Sequence, residues 1–169
     1  MNSVIFKIEN FSQKKKNTII ESETFQINGY NMCIRVYPEG DGVGRHTHLS
    51  VFFCIGKGEN DDSLSWPFGG IMKMSLLNAE GEVIIWDKIK PDIRSACYMK
   101  PCNDFNIGSG FPKFIHLSKL ETVLKAEDSV TIKCQLMQRF PPINDYETQE
   151  QQVVKEKPGD HSKKVYNLC

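Results

Sequence analysis

A chain of 169 residues is long enough to bury a core without metal or disulfide staples, and it fits one domain. Its 21 basic and 21 acidic residues cancel. That balance argues against nucleic acid or an anionic membrane as the main partner, because both select a basic excess. No apolar run is long enough to span a bilayer, the longest being strand-sized as at 51–55. The first residues run straight into VIFKIENF with no leader-like tract, so a cytoplasmic protein is the default expectation.

Short β-rich runs recur between turn signals, which predicts an all-β antiparallel sandwich of about eight strands. In chain order the strands fall at 4–8, 24–27, 31–37, 48–55, 71–77, 82–86, 113–117 and 129–137. In the third of these, alternation sends Met32, Ile34 and Val36 to a core face and Cys33, Arg35 and Tyr37 to the opposite face. A turn rich in glycine follows, in which Asp41 and Arg45 carry opposite charges past the strand ends. The last strand alternates Val130, Ile132, Cys134 and Leu136 against Thr131, Lys133 and Gln135. A short helical turn is expected at 117–125, where Leu117, Leu120 and Leu124 share a face. These elements define a domain at 1–138. Beyond it, 139–169 is polar and glutamine-rich with few apolar anchors, which predicts a flexible tail.

The chemistry-bearing residues exclude more than they suggest. Six cysteines occur without a CxxC, so neither a zinc module nor a disulfide framework is expected. Cys97, Cys102 and Cys169 are the candidates for adventitious oxidation. His46 and His48 alternate onto one face, but no third metal ligand accompanies them. GDGVGR lacks the Lys-Ser/Thr that completes a P-loop. No recognisable base is tied to Cys97 or Cys134 as a nucleophile. The reading is therefore non-catalytic, with no cofactor and no metal. Trp66-Pro67-Phe68 is read as core and loop packing rather than a ligand cage.

Five segments in order carry a family resemblance: GYNMCIRVYPEGDGVGRHTHLSVFF (29–53), KGENDDSLSWPF (57–68), KPDIRSACY (90–98), NDFNIGSGFPKF (103–114) and EDSVTIKC (127–134). Together they resemble the C-terminal domain of the tumour necrosis factor receptor-associated factors (TRAF), a branch of the meprin and TRAF homology (MATH) fold. The resemblance implies a signalling adaptor domain that binds short extended peptides from receptor cytoplasmic tails or their adaptors. It implies a role around ubiquitin-dependent signalling, NF-κB, kinase cascades and control of apoptosis, without ubiquitin transfer by this chain. The alternative is a MATH substrate-receptor domain of a ubiquitin ligase or protease assembly.

Carried over by position, the peptide groove comprises Arg35, Tyr37, Asp41, Gly42, Arg45 and Phe52 on one half. Ile89, Ser95, Ala96, Cys97, Ser109 and Gly110 form the other. Arg can grip a carboxylate in two places, while Tyr37 and Phe52 offer apolar area. Three positions depart from the family's pattern. Ala96 and Cys97 stand where it has serine hydroxyls, and Ile89 where it has an aromatic residue. Family members trimerise through a preceding coiled coil. With the first strand a few residues from Met1 there is no room for a heptad, so a monomer or weak homotrimer is expected. Hetero-association with full-length TRAF proteins remains open to such a chain.

Overall fold

The computed structural model describes residues 2–138 and 151–158. Eleven elements follow in order: β1 (Ser3–Glu9), β2 (Ile20–Glu21), β3 (Phe25–Ile27), β4 (Tyr30–Tyr37), β5 (His48–Gly56), β6 (Ile71–Leu77), β7 (Val83–Ile89), β8 (Ser109–His116), α1 (Leu117–Ala126), β9 (Ser129–Gln138) and β10 (Gln151–Val154). One sheet has the order β10-β1-β9-β6-β7, the other β2-β4-β5-β8 with β3 also paired to β4. All pairings are antiparallel except that of β10 with β1.

The core lies between the sheets and follows the period-two pattern. Val4, Phe6 and Ile8 of β1 alternate inward, as do Val130, Ile132 and Cys134 of β9. They meet Met32, Ile34 and Val36 of β4 and Val51, Phe53 and Ile55 of β5, all essentially inaccessible to solvent. The WPF segment closes one end. Tyr30 packs edge-on against Trp66 and Phe68 at 5.2 and 4.9 Å, and its hydroxyl donates to the Ser65 carbonyl at 2.6 Å. The Trp66 indole N–H donates to the Asp61 carbonyl at 2.8 Å, so this tryptophan is a packing element.

Three differences from the sequence pattern have physical causes. β8 begins at Ser109, four residues early, and runs through Pro112; a proline is tolerated because β8 is an edge strand. The helical turn is a ten-residue helix capped at its N-terminus by the His116 side chain, which accepts from the Ser118 N–H. The third concerns the segment read as a single tail. Within it, β10 pairs in parallel with β1, Ser3 opposite Gln151 through Phe6 opposite Val154. Its attachment is chiefly backbone pairing, with Val154 alone entering the core, so composition does not reveal it. The remainder of 139–169 lies outside the described residues.

The turn between β4 and β5 is locked onto β8. Asp41 N–H donates to the Ser50 hydroxyl at 2.9 Å, and that hydroxyl donates to the Pro112 carbonyl at 2.6 Å. A Cβ at Gly44 would run into the same carbonyl, whereas one at Gly42 would meet nothing. Gly42 has a φ of +56°, so a side chain there costs only conformational strain. Gly44→Ala is therefore expected to destabilise by about 2 kcal/mol or more through overpacking. Gly42→Ala should cost nearer ~1 kcal/mol. Thermal melts of the two variants check the order; equal melting temperatures would contradict the close approach at Gly44.

Candidate functional site

Of the predicted groove residues, Arg35, Tyr37, Phe52 and Gly110 share one surface of the β4–β5–β8 sheet, whereas Ser109, opposite the core residue Phe53, turns inward and Ile89 lies on the other sheet. Arg35 faces Phe52 across β4 and β5, and Phe52 faces Gly110 across β5 and β8, giving one row over three strands. Tyr37 packs edge-on against Phe52 at 5.4 Å. Gly110 must lack a side chain, because a Cβ there would meet the backbone of Val51 and Phe52. The β4–β5 turn reaches this surface through its tie to Pro112. Within the turn, Arg45 Nη2 stands 3.7 Å from Asp41 Oδ1, a loose and half-exposed pair of little energetic consequence.

Ser95, Ala96 and Cys97 start a 3-10 turn beside β8. The Ser95 hydroxyl accepts from the Cys97 N–H at 3.2 Å, and the Cys97 thiol donates to the Gly108 carbonyl at 3.7 Å. Ala96 is exposed. Asn106 fixes this turn by donating to the carbonyls of Cys97 and Met99 at 3.2 and 2.7 Å. Ser109 is buried, its hydroxyl 2.5 Å from that of Tyr98. Ile89 stands apart on the other sheet, half-buried at the end of β7. β7 and β8 end their respective sheets and approach one another, and among the described residues no strand pairs with the far edge of β8.

The face carrying Cys33, Arg35 and Tyr37 is less open than alternation alone implies. Segment 104–108 lies over it: Lys57 N–H donates to the Asp104 carbonyl at 2.9 Å, and Asn106 N–H to the Ile55 carbonyl at 2.8 Å. Cys33 is 0% exposed, and Tyr37, packed on Phe52, is 9% exposed. Phe105 places its ring 5.7 Å from the Arg35 guanidinium carbon, and Glu21 Oε2 accepts from Arg35 Nε at 2.7 Å. Burial disfavours the Arg35 charge, but the adjoining Cys54 and Cys33 sulfurs and the Glu21 carboxylate outweigh it and raise its pKa. Arg35 is thus held cationic and aimed.

Glu21, Phe105, Tyr98 and Asn106 are the residues the sequence reading misses. β2, which carries Glu21, is two residues long and has no periodicity to read. Phe105 and Asn106 lie inside a quoted motif whose pattern does not show what they touch. Cys33 and Cys54 face each other across β4 and β5, both buried, and the hydrogen bond to Cys54, with burial, raises the Cys33 pKa. Burial pushes the Cys134 thiol up to about 12, far from a thiolate at neutral pH. Cys33, Cys54, Cys97 and Cys134 are free thiols. His48 packs edge-on against His116 at 5.1 Å, and no group of three metal-ligating side chains occurs among the described residues.

This is a two-sheet antiparallel sandwich with its β4–β5 turn docked on an edge strand, and similarity to known proteins gives it a family. The MATH domain family model matches residues 3–136. Human TNF receptor-associated factor 2 is 41% identical over 125 residues, 69% of this chain and 25% of that protein. Human TNF receptor-associated factor 5 is 35% identical over 141 residues, 77% of this chain and 25% of that protein. Among solved structures, TRAF5 of Notothenia coriiceps superposes with a TM-score of 0.76 at 30% identity, covering 88% of this chain and 77% of that one. The chain belongs to the MATH domain family, in its TRAF branch. It spans about a quarter of the length of those two curated relatives.

Two measurements follow from this geometry. Tyr37→Ala, which empties a buried site against Phe52, should cost about 3 kcal/mol. A melting temperature equal to the parent's would show the ring to be unburied. Burial, then the neighbouring His116 and Lys113, lowers the His48 pKa from its ordinary 6.5. The neutral ring is favoured by the fold, so this contribution is complete above 6.5 and lost as pH falls below it. Melting temperatures from pH 7.5 to 5 should fall less steeply for His48→Gln than for the parent.

Proposed function

We propose that the chain is a signalling adaptor domain that binds short extended peptides from TNF-receptor-type cytoplasmic tails or their adaptors. The observation that carries the reading is the row Arg35–Phe52–Gly110, which runs across the sheet to an edge with no strand paired to it among the described residues. An extended peptide laid along β8 gains main-chain hydrogen bonds from that edge, and side-chain pockets supply the choice of sequence. Phe52 offers apolar area backed by the buried Tyr37 ring, Arg35 a fixed cation, and the 95–97 turn a polar rim. The relatives' name, TNF receptor-associated factor, agrees with receptor tails as the source of such peptides.

Peptide preference is where this chain differs from the pattern its family resemblance implies. Ser95 keeps its hydroxyl, but Ala96 has no donor and the Cys97 thiol is a weak one already directed at Gly108. The array of receptor-tail peptides that tests the reading should therefore return extended binders without a strong demand for a central Gln or Glu. Binding of none of them, with Arg35→Ala indistinguishable from the parent on any other ligand found, overturns the site. In the double variant Ala96→Ser with Cys97→Ser, a glutamine- or glutamate-containing peptide should tighten by roughly 1–2 kcal/mol, the worth of two added hydrogen bonds. An equal gain for all peptides would mean that the 95–97 turn does not read that position.

A further inference from the structure

Residues 151–157 reach the same carboxylate that holds Arg35. After pairing with β1, residues 151–157 cross to the other sheet: Glu23 N–H donates to the Lys155 carbonyl at 2.7 Å, Ser22 bridges Glu156, and Lys157 N–H donates to the Glu21 carbonyl at 2.8 Å. Lys14 Nζ binds Glu156 Oε2 at 2.7 Å and pins the crossing. Glu21 then has its two oxygens divided. Oε2 accepts from Arg35 Nε at 2.7 Å, and Oε1 stands 3.4 Å from Lys157 Nζ. The carboxylate and guanidinium are mostly covered, 16% and 21% exposed, while the Lys157 side chain is 58% exposed.

We propose that Glu21 and Lys157 are positioning residues for the candidate groove, through which the docked C-terminal segment sets how strongly Arg35 favours an acidic ligand residue. Arg35 and Glu21 alone sum to zero charge, so a ligand carboxylate gains little from approaching them. Adding Lys157 leaves the cluster with one net positive charge, and Glu21 no longer belongs to Arg35 alone. Ligand and Lys157 need not touch. The effect passes through Glu21, and its size is that of a partly exposed ion pair, about two- to fivefold in affinity. It weakens with added salt. This inference rests on the peptide-groove reading and adds to it a charge preference governed by a segment remote in sequence.

The test uses the full chain and two readouts. The first needs no ligand: water exchange of the Arg35 Nε–H, followed by NMR. Glu21→Gln should speed it, Lys157→Ala should slow it as Glu21 reverts to Arg35, and Lys157→Arg should restore the parent value. The backbone bond of Lys157 survives all these changes, and circular dichroism melts confirm that the segment stays docked. The second takes the tightest peptide from the receptor-tail array and walks a Glu/Gln pair along it. In the parent, one position should favour Glu over Gln, and in Lys157→Ala that ratio should fall about two- to fivefold. Exchange in Lys157→Ala identical to the parent refutes the coupling whatever the peptides do. Altered exchange with an unchanged Glu/Gln ratio refutes the specificity role. A parent that binds no peptide refutes the groove itself, while the exchange experiment still decides whether Lys157 and Arg35 share Glu21.

Discussion

Two stacked sheets have four outer edges, and every unpaired N–H and C=O on an edge needs a partner or a shield. This constraint organises the molecule. On one side, β1 and β2 would both lie open; residues 151–157 pair first with one and then with the other, stitching the two sheets together. On the opposite side, β7 and β8 carry no such strap among the described residues. β8 is further marked by Pro112, which removes one donor, and by Gly110, which lets β8 lie close on β5. Among the described residues, the asymmetry leaves one pair of edges closed in cis and the other unpaired.

The surface beside the open edge is built as a third layer. Segment 104–108 covers the outer face of β4 and β5, and through Asn106 it also fixes the 95–97 turn. Arg35 lies between this layer and β2, with Phe105 on one side and Glu21 on the other. A guanidinium immobilised in this way loses less entropy on meeting a ligand than one on a free stem. The cost falls on the fold, which must bury two thiols and most of a cation to obtain it.

How much of this is legible in the sequence depends on the kind of interaction. Alternation in 31–37 and 129–137 identifies the core faces because burial between sheets imposes a period of two. The motif order identifies the family and places Arg35, Tyr37, Phe52 and Gly110 on one surface, while Ser109, opposite Phe53, turns to the core. Alternation has no means of showing that a loop 70 residues later returns to lie over Arg35 and Cys54. Nor does composition reveal β10, whose attachment is mainly backbone pairing and two cross-chain ion pairs. Glu21 is invisible for the same reason: its role exists only once β2 is paired with β4, Glu21 opposite Arg35.

The position of β1 has a bearing on synthesis. Ser3 finds its neighbours only in Gln135 and Gln151, so the earliest strand made lies between two of the latest. Loops of that length close slowly, and the half-finished sheet carries Val4, Phe6 and Ile8 uncovered until β9 arrives. The β4–β5 hairpin has no such delay and can pair as soon as it is made. During translation the molecule therefore passes through a stage in which the β4–β5 sheet is formed while the other still lacks its centre. In that interval an apolar N-terminal strand is exposed to chaperones and to neighbouring nascent chains.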